Sequence, residues 1–442
     1  MLISEISLLL VFCLALICLK YNKFEKYIVQ LLLISSVLTF LDDKSISNEQ
    51  FLLKNNELIR SILILIGAVF IYINKALKQQ VAIICLLNCV NTMILSDNVF
   101  SLIISGEFAI FSTYYLLNEK FYSSTFVTTK YFKYNMLASS LMVFFASMLI
   151  TYTNAISFDD IRFEFAIFKD QHMKALIVVI PMILAFFMRV GFCGECLREI
   201  IERVHYEKAA PTFCLLIPCN FIVLYHLMSN VFRCNILNDV LSLTSCISII
   251  CSALMFYKSK KISTLISSVI SFFAGIIFLC CSMLNQYSDR GVLILSVSYV
   301  LLISALFLLL VAIRKTFNYP LKNIEDFFSI GYRYKNIGMA LSLLLLCFIG
   351  VPPSFGFDGN FCLYFSMIFQ GSFVKILSVT ISFVLIVIKS ISIISNIWLK
   401  NNDIFFDVVN KKLTNIVYVI IIIDMIILPL VCGVFGCNDA GI

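Results

Sequence analysis

The sequence predicts an all-α, polytopic membrane protein with about fourteen transmembrane helices. Of its 442 residues, 61% are hydrophobic and only 13% are charged, and the mean hydropathy is +0.99. A soluble domain is about half apolar and about a quarter charged. Apolar runs of the length that crosses a bilayer follow one another along the chain. The composition therefore excludes a sizeable aqueous domain.

Fourteen apolar runs are predicted to form the membrane spans, and the second is short for a span. They cover about residues 4–19, 27–41, 59–73, 81–96, 98–117, 134–153, 173–193, 210–228, 236–257, 264–284, 291–313, 338–370, 374–399 and 415–437.

The twelfth predicted span is interrupted in its middle. Residues 338–350 are almost entirely hydrophobic, VPPSFGFDGN follows at residues 351–360, and residues 361–369 are apolar again. Pro352 and Pro353 remove backbone donors. Unpaired backbone at membrane depth is tolerated only inside protein or beside a wet cavity. A broken helix of this kind indicates an ion or substrate site.

The basic residues predict the orientation of the chain. Of the 33 Lys and Arg, 22 fall on loops that follow odd-numbered spans, 9 fall on or next to loops that follow even-numbered spans, and 2 lie inside spans. Loops rich in Lys and Arg stay on the cytoplasmic or matrix side. Both termini are therefore predicted to lie outside, and the net charge of +7 reflects topology and no nucleic-acid site.

Three ionisable residues within predicted spans are the main functional candidates, because a charge inside the bilayer is costly. Glu107 is midway through the fifth span, and it either carries or couples protons or bridges two helices. Lys389 is deep in the thirteenth span, where it either moves protons or extends toward the interface. Arg189 ends the seventh span; it keeps its proton, so it either tunes a carboxylate or marks a boundary.

Three further residues are weaker candidates. Asp358 belongs to the broken segment and is expected in a hydrated vestibule or in a structural role. Asp424 is an isolated acid in the last span, which either packs against a partner subunit or is neutral. His226 lies near the end of the eighth span, as a structural histidine or as part of a proton relay.

Cysteine spacing and short motifs predict no cofactor. The seventeen Cys lie mostly in apolar runs without a disulfide pattern. Cys193 and Cys196 form a single C-x-x-C, and a zinc site normally needs a second ligand pair. The sequence has no phosphate loop and no dinucleotide fingerprint. We expect no metal, nucleotide, flavin or iron–sulfur cluster on this chain.

Five segments occur in an order that resembles one family of membrane proteins. They are GEFAIFSTYYLL at 106–117, KYFKYNMLASSLMVFF from 130, HYEKAAPT at 205–212, SALMFYKSKKISTLISSVIS at 252–271, and IEDFFSIGYRYKNIGMALSLLLLCFIGVPPSFGFDGNF at 324–361. Together they resemble the antiporter-like subunit N of NADH-quinone oxidoreductase, respiratory complex I. The last segment, with its Glu-Asp pair and its Gly-Phe after the prolines, is the most specific.

The resemblance implies a domain organisation with two inverted helix repeats that contain broken helices. Residues 1–97 would be N-terminal transmembrane helices, the last of which, about 81–96, opens the first repeat. Residues 98–228 would complete the first repeat, 229–399 would form the second, and 400–442 would form the C-terminal helix.

The resemblance also implies which residues line an ion path. The family has a glutamate on helix five, which is Glu107 here, and buried lysines on helices seven, eight and twelve. None of these lysines carries over: Arg189 or Phe192 stands in helix seven, Asn220 is nearest in helix eight, and Asn360 replaces the lysine of the broken helix. Lys389, on the helix after it, is a possible substitute.

The function implied is that of a membrane-arm subunit of NADH-quinone oxidoreductase, which couples quinone reduction to proton translocation. The enzyme would be a translocase, and this chain alone would not be catalytic. NADH, flavin, iron–sulfur clusters and quinone would bind to partner subunits. Two alternatives stay open: a subunit of a multisubunit cation/proton antiporter, and a structural arm subunit without a proton path. The expected location is the bacterial inner membrane, with the mitochondrial inner membrane as the alternative.

Overall fold

The computed structural model describes residues 50–74, 76–118, 122–167, 172–190, 194–232, 235–317, 322–328, 330–399 and 411–429. Helices dominate these residues, and none of them belongs to a β-strand. The predicted all-α membrane fold is confirmed. The first two predicted spans, residues 4–19 and 27–41, lie outside the described residues.

The chain divides into two compact units. One contains Met1–Gly191 and Arg203–Val240, and the other contains Phe192–Glu202 and Leu241–Ile442. The repeat boundaries implied by the resemblance stay a prediction.

The first unit is built from long apolar helices joined by short loops. Its helices are α1 (Gln50–Ile73), α2 (Leu77–Ile94), α3 (Val99–Leu117), α4 (Tyr122–Thr153), α5 (Phe158–Ile167), α6 (His172–Val190), α8 (Tyr206–Pro211) and α9 (Ile217–His226). The π-helical segments Thr212–Leu216 and Leu227–Val231 extend α8 and α9 into one continuous rod. This rod is almost wholly buried, which makes it the centre of the unit.

The second unit is built in the same way around two buried helices. Helix α7 (Glu195–Arg203) lies mostly in this unit, and α10 (Asn235–Lys258) enters it from the first. The others are α11 (Ile262–Cys281), α12 (Gln286–Phe317), α13 (Ile330–Arg333), α14 (Lys335–Ile349), α15 (Phe355–Phe369), α16 (Phe373–Leu399) and α17 (Lys411–Ile422), with a 3₁₀ turn at Ile324–Phe327 and a π-helical segment at Ile423–Ile427. Helices α11 and α12 are the buried pair, and α16 is largely exposed.

Among the described residues, eight helices are long and apolar enough to cross a membrane. Three shorter apolar helices, Ile59–Ile73, Lys335–Ile349 and Leu413–Ile426, coincide with predicted spans as well. Every predicted span from the third onward therefore overlaps a helix.

Helix ends and two short helices differ from the prediction. Helix α1 begins at Gln50, whereas the predicted span begins at 59, and α4 begins at Tyr122, whereas the span begins at 134. Hydropathy detects only the apolar part of a helix, and the polar residues before it extend the same helix outward. The short helices Phe158–Ile167 and Glu195–Arg203 carry several charged residues, so hydropathy gave no sign of them.

The predicted break in the twelfth span is present between α14 and α15. Helix α14 ends at Ile349, and Gly350 follows in the left-handed conformation with φ of 77°. That conformation suits glycine because a side chain would be strained there. The Pro352–Pro353 turn has a cis peptide bond, and Ser354 is the N-cap of α15. The break therefore places one helix C-terminus and one helix N-terminus inside the apolar unit.

Candidate functional site

Glu107 lies near the middle of α3, at the border between its buried and exposed sides. The neighbouring residues Gly106 and Ala109 are buried, whereas Phe111 is exposed. The Glu107 side chain retains 25% of its exposure, and its Oε1 atom is buried. The carboxylate therefore turns from the border of the helix toward the inside of the unit.

Arg189 is the residue that Glu107 faces. It lies in the last turn of α6 and is only 4% exposed. Its Nη2 atom lies 3.6 Å from Glu107 Oε1 and donates a hydrogen bond of 3.3 Å to Ser139 Oγ on α4. The site thus joins three helices, α3, α4 and α6. Arg189 does lie at the end of its helix, as predicted, but its guanidinium is buried inside the unit and faces Glu107.

The glycine before Glu107 makes room for the arginine. A Cβ atom at Gly106 would lie 2.9 Å from Arg189 Nη1. Carbon and nitrogen atoms do not approach so closely without one of them moving. The Gly-Glu pair on α3 therefore supplies both the charge partner and the space for the guanidinium.

The Glu107–Arg189 ion pair lies in an apolar environment, which strengthens the attraction between the two charges. At 3.6 Å and an effective dielectric constant of about 20, two unit charges attract by roughly 4 to 5 kcal/mol before desolvation is subtracted. Breaking a buried pair by removing one partner leaves an uncompensated charge. Because arginine keeps its proton, Arg189 is a fixed positive charge beside Glu107.

Asn220 lies on α9, in the buried rod. It is fully buried, its Nδ2 donates to the Leu216 carbonyl at 2.9 Å, and its Oδ1 has no partner among the described residues. The adjacent Cys219 thiol contacts the Val90 carbonyl oxygen at 3.7 Å, which fixes α9 against α2. An amide with a free oxygen is a group that holds water by hydrogen bonds.

Three buried asparagines of α2 and α4 also have free amide atoms. Asn88 and Asn91 lie on α2 and Asn135 lies on α4. The Oδ1 atoms of all three, and the Nδ2 of Asn91, have no hydrogen-bond partner among the described residues. Buried amide atoms left free by the protein are typical of sites that bind internal water. Asparagine carries no charge and is therefore inconspicuous in an apolar span, although the two Asn in the run CLLNCVNTM were a visible signal.

His226 lies apart from the Glu107–Arg189 pair, at the end of α9. It lines a cavity of about 100 Å³ together with Asp97, Asp159 and Arg162. The histidine is half-buried. Eight of the thirteen residues that line this cavity are apolar, so its wall is mixed and leaves both roles of the histidine open.

Asp358 and Asn360 lie in the second unit, in the first two turns of α15. Both are half-buried. Asn360 packs against the left-handed glycine of the break: a Cβ atom at Gly350 would lie 2.5 Å from Asn360 Nδ2. The amide therefore lies against the C-terminal end of α14, the negative end of that helix dipole.

Lys389 lies within a turn of the middle of α16 and is half-buried. No ion pair or hydrogen bond of its ammonium group is found among the described residues. It borders the buried face of α16 formed by Ile386, Ser390 and Ile393. The structure thus places Glu107, Arg189, Asn220 and His226 in the first unit and Asp358, Asn360 and Lys389 in the second.

The described residues contain no group of three His, Cys, Asp or Glu side chains able to hold a metal ion. Cys196 is half-buried, and the other cysteine of the C-x-x-C, Cys193, lies outside the described residues.

Comparison with known sequences identifies a family. Residues 96–389, more than half of the chain, match the family model described as "NADH:quinone oxidoreductase/Mrp antiporter, TM". The matched range begins just before α3 and ends at Lys389, so it includes the site residues named above except Asn88 and Asn91. No curated protein sequence gives a significant match.

Solved structures share the fold at low sequence identity. A chain of respiratory complex I from Thermus thermophilus with bound aureothin is 12% identical, with a TM-score of 0.76 and coverage of 98% of this chain and 97% of that one. A chain of an archaeal membrane-bound sulfane sulfur reductase is 14% identical (TM-score 0.78, coverage 99% and 93%). A chain of the Mrp complex from Dietzia is 14% identical (TM-score 0.72, coverage 90% and 80%). All three are chains of membrane complexes.

Proposed function

This chain belongs to the NADH:quinone oxidoreductase/Mrp antiporter transmembrane family, and we propose that it is a membrane-arm subunit of a complex I-type NADH-quinone oxidoreductase. In this role it couples quinone reduction, carried out by partner subunits, to proton translocation. It contributes no redox centre of its own.

The observation that carries the proposal is the buried ion pair between Glu107 and Arg189. The resemblance implies an acid on helix five and a buried base on helix seven, and the 3.6 Å distance between Glu107 and Arg189 supports giving these two residues those roles. A charge pair inside an apolar bundle is costly to build, and such pairs mark ion pathways in membrane proteins. Helix α4 adds Ser139 as a third member that orients the guanidinium.

Arginine in place of lysine changes what the pair can do. A lysine can give up a proton when buried, whereas arginine stays charged. The proton that moves is therefore carried by Glu107 and by water, and Arg189 acts as a fixed positive charge. A charge change in a neighbouring subunit draws Glu107 toward or away from Arg189, and that movement loads or releases the proton.

The free amide atoms offer a route for water on the inner side of the pair. Asn88, Asn91, Asn135 and Asn220 are all buried, and all have free amide atoms. Amides conduct no protons by titration, but they hold the water molecules that do. We propose that these four asparagines line the hydrated part of the first unit.

The choice of complex I rests on the segment at residues 324–361. Its Glu-Asp pair is Glu325-Asp326, and the structure gives the second acid a local role. Asp326 Oδ2 accepts hydrogen bonds of 2.9 Å from the backbone amides of Lys322 and Asn323, which closes a capping box. This turn starts the link that leads into the broken helix.

Two measurements test the proposal. The intact native assembly is purified with this chain as bait, and its other subunits are identified; we expect redox subunits with flavin and iron–sulfur motifs. Membranes that contain Glu107→Gln are then compared with the wild type for assembly, quinone reductase activity and proton pumping. We expect the complex to assemble with lower stability, because Arg189 loses its partner, and to lose proton pumping, while Glu202→Gln, which removes a surface ion pair with Lys261, leaves pumping intact. Normal pumping in Glu107→Gln would contradict the proposal.

A structural subunit without an ion path is the second candidate, because asparagines stand at two family lysine positions, Asn220 and Asn360. If the chain has this structural role, Glu107→Gln should change only the assembly of the complex. Co-purification with antiporter subunits and no redox subunit would instead assign the chain to a cation/proton antiporter.

A further inference from the structure

A second buried acid lies in the second unit, at the end of the described chain. Asp424 is part of the π-helical segment Ile423–Ile427, and its side chain is 0% exposed. Neither of its carboxylate oxygens has a hydrogen bond of good geometry among the described residues, although the Ser298 hydroxyl and the Cys347 thiol lie next to the carboxyl. The reading that Asp424 packs against a partner subunit is wrong, because its own chain encloses it completely.

Two hydroxyl groups at the helix break are free in the same way. Ser298 on α12 and Ser354 at the N-cap of α15 are both buried, and their Oγ atoms have no hydrogen-bond partner among the described residues. Other buried serines of α12 behave differently. Ser296 and Ser304 donate to the backbone carbonyls of Leu293 and Leu301, as serines in apolar helices usually do.

These groups converge on Gly356, at the start of α15. A Cβ atom there would lie 3.1 Å from Ser298 Oγ, 3.4 Å from the Cys347 carbonyl oxygen and 4.0 Å from Ser354 Oγ. The Asp424 carboxyl lies beside the Ser298 hydroxyl and the Cys347 thiol. Two free hydroxyls and the last turn of α14 thus surround one glycine, and the Asp424 carboxyl lies beside one of these hydroxyls.

An ionised carboxylate without a partner is very costly in an apolar interior. Asp424 therefore holds a proton or has a cation beside it. Hydroxyls both donate and accept hydrogen bonds, so Ser298 and Ser354 suit either form of the acid. Two backbone features also favour an ion site: the acid lies on a π-helical segment, and the helix beside it is broken.

We propose that Asp424 is a proton-binding site of the second unit, which exchanges its proton through Ser298 and Ser354 at the break between α14 and α15. The proton comes from water at the exposed side of the break, residues 351–353. It bonds to one Asp424 oxygen and leaves by the same atoms, without any change of oxidation state. The family lysine of the broken helix is Asn360 here, and Asp358 on α15 is only half-buried, so Asp424 supplies a fully buried titratable group at this break.

This proposal goes beyond the role of Glu107 and does not depend on which complex contains the chain. Infrared spectra of the purified native complex test it directly. We expect a carbonyl band of a protonated carboxylic acid that Asp424→Asn removes, that shifts in heavy water and that sodium leaves unchanged. A missing band, a band that ignores heavy water, or a band that sodium abolishes would each overturn the proposal, the last by assigning a metal cation.

A serine pair supplies the matched control if Asp424→Asn fails to assemble. Ser298→Ala is expected to shift the acid band and to lower proton pumping, because it removes a neighbour of the carboxyl. Ser296→Ala, two residues away on the same helix, is expected to change neither. Equal spectra for the two variants would exclude Ser298 from the exchange. The band reports the carboxyl itself, so this result is separate from the outcome of Glu107→Gln.

Discussion

The Arg189 guanidinium lies 3.6 Å from the Glu107 carboxylate, although 82 residues separate them along the chain. The acid belongs to α3 and the base to the last turn of α6, and Ser139 of α4 accepts a hydrogen bond from the same guanidinium nitrogen. The pair therefore ties three membrane helices together, and substitutions in it report on both assembly and ion transfer.

Removing the positive charge of Arg189 should lower stability and pumping more than replacing arginine by lysine, which keeps the charge. Arg189→Met leaves Glu107 inside the bundle without its partner, which costs about 3 to 5 kcal/mol for a buried pair. We expect a lower thermal midpoint of the native complex and loss of proton pumping. Arg189→Lys keeps the positive charge, so we expect assembly to be retained.

The comparison of Arg189→Met with Arg189→Lys separates the effect of the positive charge from the effect of the shape of the side chain. Lysine also restores the residue type that the family has on this helix. If Arg189→Met assembles and pumps like the wild type, the pair has no role in either process. Thermal dissociation followed by native gel electrophoresis and pumping in membrane vesicles are the two measurements.

Ser139 positions the Arg189 guanidinium, and replacing it should have a smaller effect than replacing Arg189. Ser139→Ala removes a hydrogen bond to a charged group, which is worth about 1.5 to 3 kcal/mol. We expect a smaller fall in thermal stability than for Arg189→Met and a partial loss of pumping. Ser147 on the same helix is exposed and bonds only to the Phe144 carbonyl. Ser147→Ala is therefore the control, and an equal effect of the two changes would exclude the proposed contact.

Much of the fold could be predicted because the lipid bilayer requires every apolar span of such a chain to form a helix that satisfies its own backbone hydrogen bonds. The break at residues 350–354 was predictable as well, since adjacent prolines between apolar runs cannot continue a helix. What the sequence could not reveal is which residues meet. Arg189 was a candidate only by its position, and its contact with Glu107 depends on how α3 and α6 pack.

The buried asparagines and the free serines mark the limit of prediction in physical terms. Ser296 and Ser298 look alike in the sequence, yet one bonds to its own helix and the other has no partner among the described residues. That difference arises from the packing around Gly356 and from the helix break. No short sequence motif distinguishes the two serines. Glu107 was predictable because an acid in an apolar run is rare by itself.

Replacing Lys389 should reduce proton pumping without reducing thermal stability. Its ammonium group is half-buried and no partner for it is found among the described residues, so Lys389→Met removes a charge that packing does not compensate. We expect unchanged or higher thermal stability together with reduced pumping. Lys375→Met, at the exposed start of the same helix, is the control because its ammonium group bonds to Gln370. Unchanged pumping in Lys389→Met, with normal assembly, would favour a structural subunit.

Gly350→Ala should destabilise the helix break for two reasons that can be measured separately. Its φ of 77° strains any side chain, and a Cβ atom would lie 2.5 Å from Asn360 Nδ2. Gly371 has a similar φ of 63° but nothing within 4 Å of its Cβ position. Backbone strain of this kind costs about 1 to 3 kcal/mol, so Gly371→Ala gives the strain alone. We expect a larger fall in thermal midpoint and a loss of pumping for Gly350→Ala, since it displaces Asn360. Equal effects of the two variants would show that the Asn360 contact adds nothing beyond backbone strain.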